Sequence, residues 1–262
     1  ALKAVQSAEL FQQFFENWDP DAADRGKVRA RDLLQVTTAR AGREWQHQPD
    51  VQATLFSLLG SLYANMGDLP QADSLLTRAL VLQERLHGRF HPDLATTLSR
   101  KGQLLYLRGD YDAAEQTYRQ ALGMFEALFG AEYPEALRTR QGLATVLLHG
   151  QERFAEAEAL FREILALHRA VRADTSLIVA DATRGLGLTL FYQGRNEEAA
   201  EILRPALVEH LSLYGELHPV TILTMQALSA NLRDLGRVDE AVAVQEKVLH
   251  IHRQLYGETH PS

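Results

Sequence analysis

Gly109-Asp110-Tyr111-Asp112-Ala113-Ala114 is one of five similar phrases in this chain, and its recurrence decides the fold. The others are Gly67-Asp68-Leu69-Pro70-Gln71-Ala72, Glu152-Arg153-Phe154-Ala155-Glu156-Ala157, Gly194-Arg195-Asn196-Glu197-Glu198-Ala199 and Gly236-Arg237-Val238-Asp239-Glu240-Ala241. Their closing alanines are spaced by 42, 43, 42 and 42 residues, the longer step marking one residue inserted near Gly150-Gln151. A fixed period of roughly 20 to 50 residues is the signature of stacked structural repeats.

A second register marks the repeat boundaries: His91-Pro92, Tyr133-Pro134, His218-Pro219 and His260-Pro261, with Pro49-Asp50 as a degenerate first case. Apolar residues at helical period lie between boundary and phrase, such as Leu55, Leu59, Leu62 and Tyr63. Others follow the phrase, such as Leu75, Leu76, Ala79, Leu80 and Leu82, so each repeat reads as a helical hairpin. Gly67 or Gly109 supplies the left-handed residue that ends a first helix. The acidic residues just beyond favour the N-terminus of the second, and each boundary proline suits a first helical turn, where its missing N–H costs nothing. Gly88, Gly130, Gly215 and Gly257 end the second helices. Small residues at Gly60, Gly102, Ala144, Gly187 and Ser229 let the paired helices cross closely, as do Ala72, Ala114, Ala157, Ala199 and Ala241.

Leu59-Gly60 with Tyr63, and Ala72 with Leu76, fill the small-residue skeleton of the tetratricopeptide motif, here about eight residues longer than the usual 34. The run from Gly88 to Gly130 resembles in full the long tetratricopeptide repeats of kinesin light chain. The resemblance implies an all-α, right-handed superhelical solenoid of antiparallel helix pairs. Five repeats are expected at about 49–90, 91–132, 133–175, 176–217 and 218–259, with the start of a sixth. In that family an Asn-Asn-Leu-Ala phrase clamps the backbone of an extended cargo peptide. The two Asn positions read Ser57-Leu58, Ser99-Arg100, Gln141-Gly142, Arg184-Gly185 and Gln226-Ala227 here, so that clamp does not transfer.

Residues 1–48 lack the repeat. Val5 to Trp18 and Val28 to Trp45 read as two amphipathic helices that cap or lead into the array. Their wording, from Leu10-Phe11 through Asp19-Pro20 and Val28 to Leu34 to Gln48-Pro49-Asp50-Val51, resembles the linker before long tetratricopeptide repeats in bacterial serine/threonine protein kinases. That resemblance implies a regulatory or docking arm of a signalling protein, and the chain is read as an excised piece of a longer one.

Composition narrows the chemistry. With 34 acidic against 27 basic residues, a net charge of −7 and no run of Lys or Arg, nucleic acid is not an expected partner. The absence of cysteine removes disulfides, thiolate zinc sites and thiol catalysis. No apolar run reaches the roughly 20 residues of a membrane span, and a cytoplasmic address is expected. His250 and His252, two apart, fall on different sides of a helix, and the boundary histidines read as turn residues. Gly185-Leu186-Gly187 reads as a helix-packing site. Neither a glycine-rich nucleotide loop nor a kinase catalytic loop occurs, so no catalysis, metal or cofactor is expected of this chain.

First helices line the concave face of such a stack. Counted from the small-residue position, that face presents Thr54, Ser57, Ser61 and Asn65, then Thr96, Ser99, Gln103 and Tyr106. Arg138, Gln141, Thr145 and His149 follow, then Asp181, Arg184, Leu188, Phe191 and Tyr192, and finally Leu223, Gln226 and Arg233. The expected binding residues are Ser99, Gln103, Tyr106, Arg138, Gln141, Arg184, Phe191, Tyr192, Gln226 and Arg233. They would hold an acidic peptide or protein segment, with Arg138 and Arg184 on its carboxylates and the aromatic rings on an apolar anchor. Self-association through Val244, Val248 and Leu255 at the C-terminal end is the alternative, as is a free-standing adaptor.

Overall fold

The computed structural model describes residues 30–171 and 176–256, and among them are eleven helices and no strand. Helix α1 (Ala30–Glu44) precedes five antiparallel pairs: α2 (Pro49–Asn65) with α3 (Leu69–His87), and α4 (Pro92–Arg108) with α5 (Tyr111–Phe129). Then come α6 (Pro134–His149) with α7 (Phe154–Val171), α8 (Ser176–Tyr192) with α9 (Asn196–Tyr214), and α10 (Pro219–Asp234) with α11 (Val238–Tyr256). The helix expected at Val5 to Trp18, Gly257 and the sixth-repeat start at His260-Pro261 lie outside the described residues.

The punctuation seen in the sequence works locally. Pro49, Pro92, Pro134 and Pro219 are each the first residue of their helix, where φ is already helical and no N–H is needed. Gly109 ends α4 in the left-handed conformation (φ 82°), and the chain reverses as Asp110 N donates to Leu105 O at 2.9 Å. In the third repeat that place belongs to Glu152, the one non-glycine residue with positive φ (52°) among those described. Arg153 N there donates to Leu147 O at 2.9 Å, one residue farther back than its counterpart. The inserted residue is therefore absorbed inside the turn, and the hairpin on either side keeps its register.

The boundary residues do more than decorate a turn. The last residue of a second helix stacks on the residue before the next boundary proline: His87 on His91 at 3.9 Å, Phe129 on Tyr133 at 4.4 Å and Tyr214 on His218 at 4.5 Å between ring centroids. His91 Nδ1 accepts from Asp93 N at 3.2 Å, and His218 Nδ1 accepts from Val220 N at 3.3 Å. Each of these histidines caps an orphan helix donor while its ring bridges two repeats.

Close crossing depends on the small residues. A Cβ on Gly60 would lie 2.8 Å from Leu76 Cγ, and one on Gly102 2.9 Å from the Tyr118 ring. Gly187 faces Leu203 in the same way, so the Gly185-Leu186-Gly187 phrase is a packing site. Leu59, Tyr63, Leu75 and Leu76 are buried, each burial stabilising by about 1.5–3 kcal/mol. Leu62, read from periodicity as packed, is exposed because it lies one residue beyond the stripe facing α3.

Among the described residues the backbones of successive first helices approach one another closely, whereas successive second helices stand farther apart and meet through long side chains, as where Arg204 of α9 donates to Glu240 of α11 at 2.8 Å. The first helices thus form the inner wall. Arg140 on α6 is fully buried, donating to Glu126 of α5 and Ala131 O and lying 3.3 Å from Glu163 of α7. Phe56, Leu98, Thr183 and Met225 hold the equivalent position in the other repeats.

Candidate functional site

The side chains that face away from each first helix's own partner meet across the inner wall. A cavity of about 670 Å³ opens between α4, α6 and the start of α8. Ser99, Gln103 and Tyr106 line it from α4, Arg138, Gln141 and Thr145 from α6, and Leu177, Ile178 and Asp181 from α8. Its floor is set by Gly142, where a Cβ would stand 2.5 Å from Tyr118 Cζ. The absent side chain lets the Tyr118 ring of α5 reach the groove between two first helices. Burial pushes the Tyr118 hydroxyl far above its ordinary pKa, and burial raises that of Tyr106 as well; both remain neutral hydrogen-bonding groups.

The walls are tied to each other by hydroxyls. Thr97 Oγ1 lies 2.8 Å from Ser57 Oγ, and Thr139 Oγ1 lies 3.1 Å from Ser99 Oγ, each pair linking neighbouring first helices. Charges in the groove are unevenly satisfied. Arg138 pairs with Glu135 at 3.3 Å. Arg184 and Asp181 stand 4.0 Å apart, and Arg184 Nε and Asp181 Oδ1 are buried without a hydrogen-bond partner. Burial, and then the Arg184 charge, holds His149 below its ordinary pKa. Arg100, one residue past Ser99, donates from Nη1 to Ser57 Oγ at 2.7 Å and has no carboxylate within 4 Å among the described residues. Burial alone lowers its pKa.

This helical-hairpin array matches known proteins along most of its length. The tetratricopeptide repeat signature matches residues 51–127, 95–170 and 135–207, and a second signature of the same description matches 221–262. The chain belongs to the tetratricopeptide repeat family. A clustered mitochondria protein homolog of Meyerozyma guilliermondii is 26% identical over 180 residues, covering 66% of this chain. The chain spans only 14% of that relative. Among solved structures, kinesin light chain TPR-like repeats from Podosopora anserina superpose with a TM-score of 0.64 at 18% identity, covering 79% of this chain and 97% of theirs. The Rap conjugation gene regulator of plasmid pLS20, in complex with the Phr* peptide, gives a TM-score of 0.65 at 18% identity, covering 81% of this chain and 56% of that one. At these identities the likeness concerns the fold.

Within this tetratricopeptide repeat array, five of the ten residues singled out from sequence come together in the cavity: Ser99, Gln103, Tyr106, Arg138 and Gln141. The others do not line it. Arg184 is half-buried beside Asp181, and Phe191 packs on the hydrophobic core. Tyr192 is half-exposed with its ring stacked on Phe154 at 5.9 Å. Gln226 lies farther along α10, and Arg233 is largely exposed beside Asp234 at 3.5 Å. Sequence reasoning missed Arg100, Leu177 and Ile178. Arg100 had a usable signal: in its register, otherwise Leu58, Gly142, Gly185 and Ala227, it is the one charged residue.

His87, His91 and Asp93 bring potential metal-ligating atoms within 4.8 Å of one another, a grouping the sequence did not announce. Each is already engaged at the junction: His87 Nε2 lies 3.0 Å from Asp50 Oδ1, and His91 Nδ1 takes the Asp93 amide. Phe129 with Tyr133 repeats the same ring stack one junction later, so the stacking, rather than ligation, is what recurs. The C-terminal apolar face also needs correction. Val248 is buried against Ile222 and Met225, and Val244 packs partly against the same cluster. They cover their own hairpin because they lie on the α11 face toward α10. Among the described side chains of α11 the exposed large apolar residues are Val238, Val242 and Leu249, and that of Leu255 lies outside them.

Proposed function

We propose that this chain is a non-catalytic scaffold that holds an extended peptide or protein segment along its concave groove. The supporting observation is the cavity itself: three successive first helices open onto one space that combines hydroxyl and amide groups with Leu107, Leu177 and Ile178. Such a mixture suits a peptide, whose backbone needs hydrogen-bonding partners and whose side chains need apolar cover. The pLS20 Rap regulator, similar in fold, was solved with a peptide. Ser99, Gln103, Tyr106, Arg138 and Gln141 would form the near part of the path, and Arg184, Phe191, Tyr192, Gln226 and Arg233 its continuation. In its fullest form the reading makes the chain a docking arm of a cytoplasmic bacterial serine/threonine protein kinase. That part rests on the resemblance of the first 50 or so residues alone, and the residues upstream of Ala1 test it by containing or lacking a kinase catalytic loop.

Panning a displayed random-peptide library tests the groove. Peptides enriched on the wild-type chain should bind equally to Arg119→Trp, altered on a second helix, and lose binding to Thr145→Trp, which fills the groove. Equal binding to both variants overturns the reading. Self-association through Val242 and Leu249 is the second reading, favoured by their exposure on α11. It expects a concentration-dependent mass by light scattering that Leu249→Lys abolishes.

A further inference from the structure

The groove's arginines differ in whether their charge is already matched. Arg138 is matched by Glu135, Arg184 faces Asp181, and Arg233 lies 3.5 Å from Asp234. Arg100 has one neutral partner, the Ser57 hydroxyl, and lines the cavity without a carboxylate in reach among the described residues. A guanidinium withdrawn from water loses hydration that one hydroxyl does not replace, and four of its five N–H donors remain for a planar oxyanion.

We propose that Arg100 is the anion receptor of the groove and binds the carboxylate of an Asp or Glu side chain within the docked segment, next to an apolar residue covered by Leu107, Leu177 and Ile178. This rests on the groove being a peptide site. A side chain is favoured over a chain end because Arg100 lies on the second of five first helices, so a segment lying along the inner wall passes it and runs on toward α6 and α8. Of the two arginines that sequence reasoning favours, Arg138 already has its carboxylate and stands at the more exposed rim, and Arg184 faces Asp181 at 4.0 Å. Leu58, one repeat earlier, and Gly142, one repeat later, carry no charge, so the acidic position should be single.

The test is a double-mutant cycle on peptides enriched by the wild-type chain. Each peptide is made with a C-terminal amide, as selected and with its acidic residue changed to Asn or Gln. Affinities are measured for wild type, Arg100→Gln, Arg100→Lys and Arg138→Gln. The proposal expects acidic residues to be enriched at one position, and Arg100→Gln to weaken the acidic peptide about tenfold or more while changing its amide counterpart less than about twofold. Arg100→Lys, keeping charge without the fork, should fall between, and Arg138→Gln, whose charge Glu135 already matches, should change the acidic peptide and its amide counterpart alike. Equal losses for both peptides, no acidic enrichment, or a dependence on the free C-terminus instead would overturn the assignment of Arg100. In each of those cases the groove reading stands if Thr145→Trp still blocks binding. Peptides indifferent to Thr145→Trp would defeat both.

Discussion

Repeat two and the third and fourth repeats are built to the same plan with different fidelity. From Pro92 to Gly130 every device is in place: a capping His91, a left-handed Gly109 and a Phe129 ring stacked on Tyr133. In the third repeat the left-handed position is Glu152 and a guanidinium stands in the core at Arg140; in the fourth, α8 starts at Ser176 rather than at a boundary proline. The fourth carries Pro205 inside α9. The cavity lies across these two regimes, taking its α4 wall from the regular repeat and its α6 and α8 walls from the irregular ones. Local rules are most often broken where a protein needs something other than stability. The departures at Arg140, Glu152 and Pro205 are the places where the comparison can be tested.

Arg140 should give the largest effect. Arg140→Ala removes a fully buried side chain and leaves its volume empty, lowering stability by about 2–4 kcal/mol in denaturant titration. Arg140→Met, of similar length and apolar like Phe56, Leu98 and Met225 in three other repeats, should come within about 1 kcal/mol of wild type or exceed it. A large loss for Met would mean that the ion pairs themselves hold the third repeat. Next is Pro205→Gln, which restores a helix donor at a position where repeat two has Gln120. It should raise the denaturation midpoint, by about 1–3 kcal/mol in free energy. Glu152→Gly relieves a left-handed non-glycine residue and should stabilise by about 1 kcal/mol.

The smallest expected effect is one of pH. His210 is fully buried, 2.8 Å from Thr224 Oγ1, and burial holds its pKa below 6.5. Between its folded and unfolded values the unfolded chain binds more protons, so stability is lost as pH falls through 6.5. His210→Gln should flatten that slope in thermal unfolding measured from pH 7.5 to 5, and an unchanged slope would place the effect elsewhere.

What was legible in the sequence follows from how far each cause acts. Glycine, proline and small crossing residues act within one turn or one hairpin, so the period, the helix ends and even the shifted third copy could be read from residue order. Burial of Arg140 depends on Glu126 and Glu163, in helices on either side, and nothing near it in sequence marks it as a core residue. Counting from the small residues found the inner face, and half of the residues chosen on it line the cavity. Counting could not tell which arginine is already paired, although Glu135, three residues before Arg138, was a readable hint. The misassigned Val248 failed for the same reason as Arg140: which face of α11 is covered depends on α10, a separate helix.

The central claim is that the first helices, and among them α4, α6 and α8, hold a partner segment. Amide hydrogen exchange of the full chain, with and without a peptide enriched from the library, tests it most directly. The expected result is slowed exchange along α4, α6 and α8, with α3, α5 and α7 changing little. Slowed exchange confined to the second helices or to α11 would contradict the account.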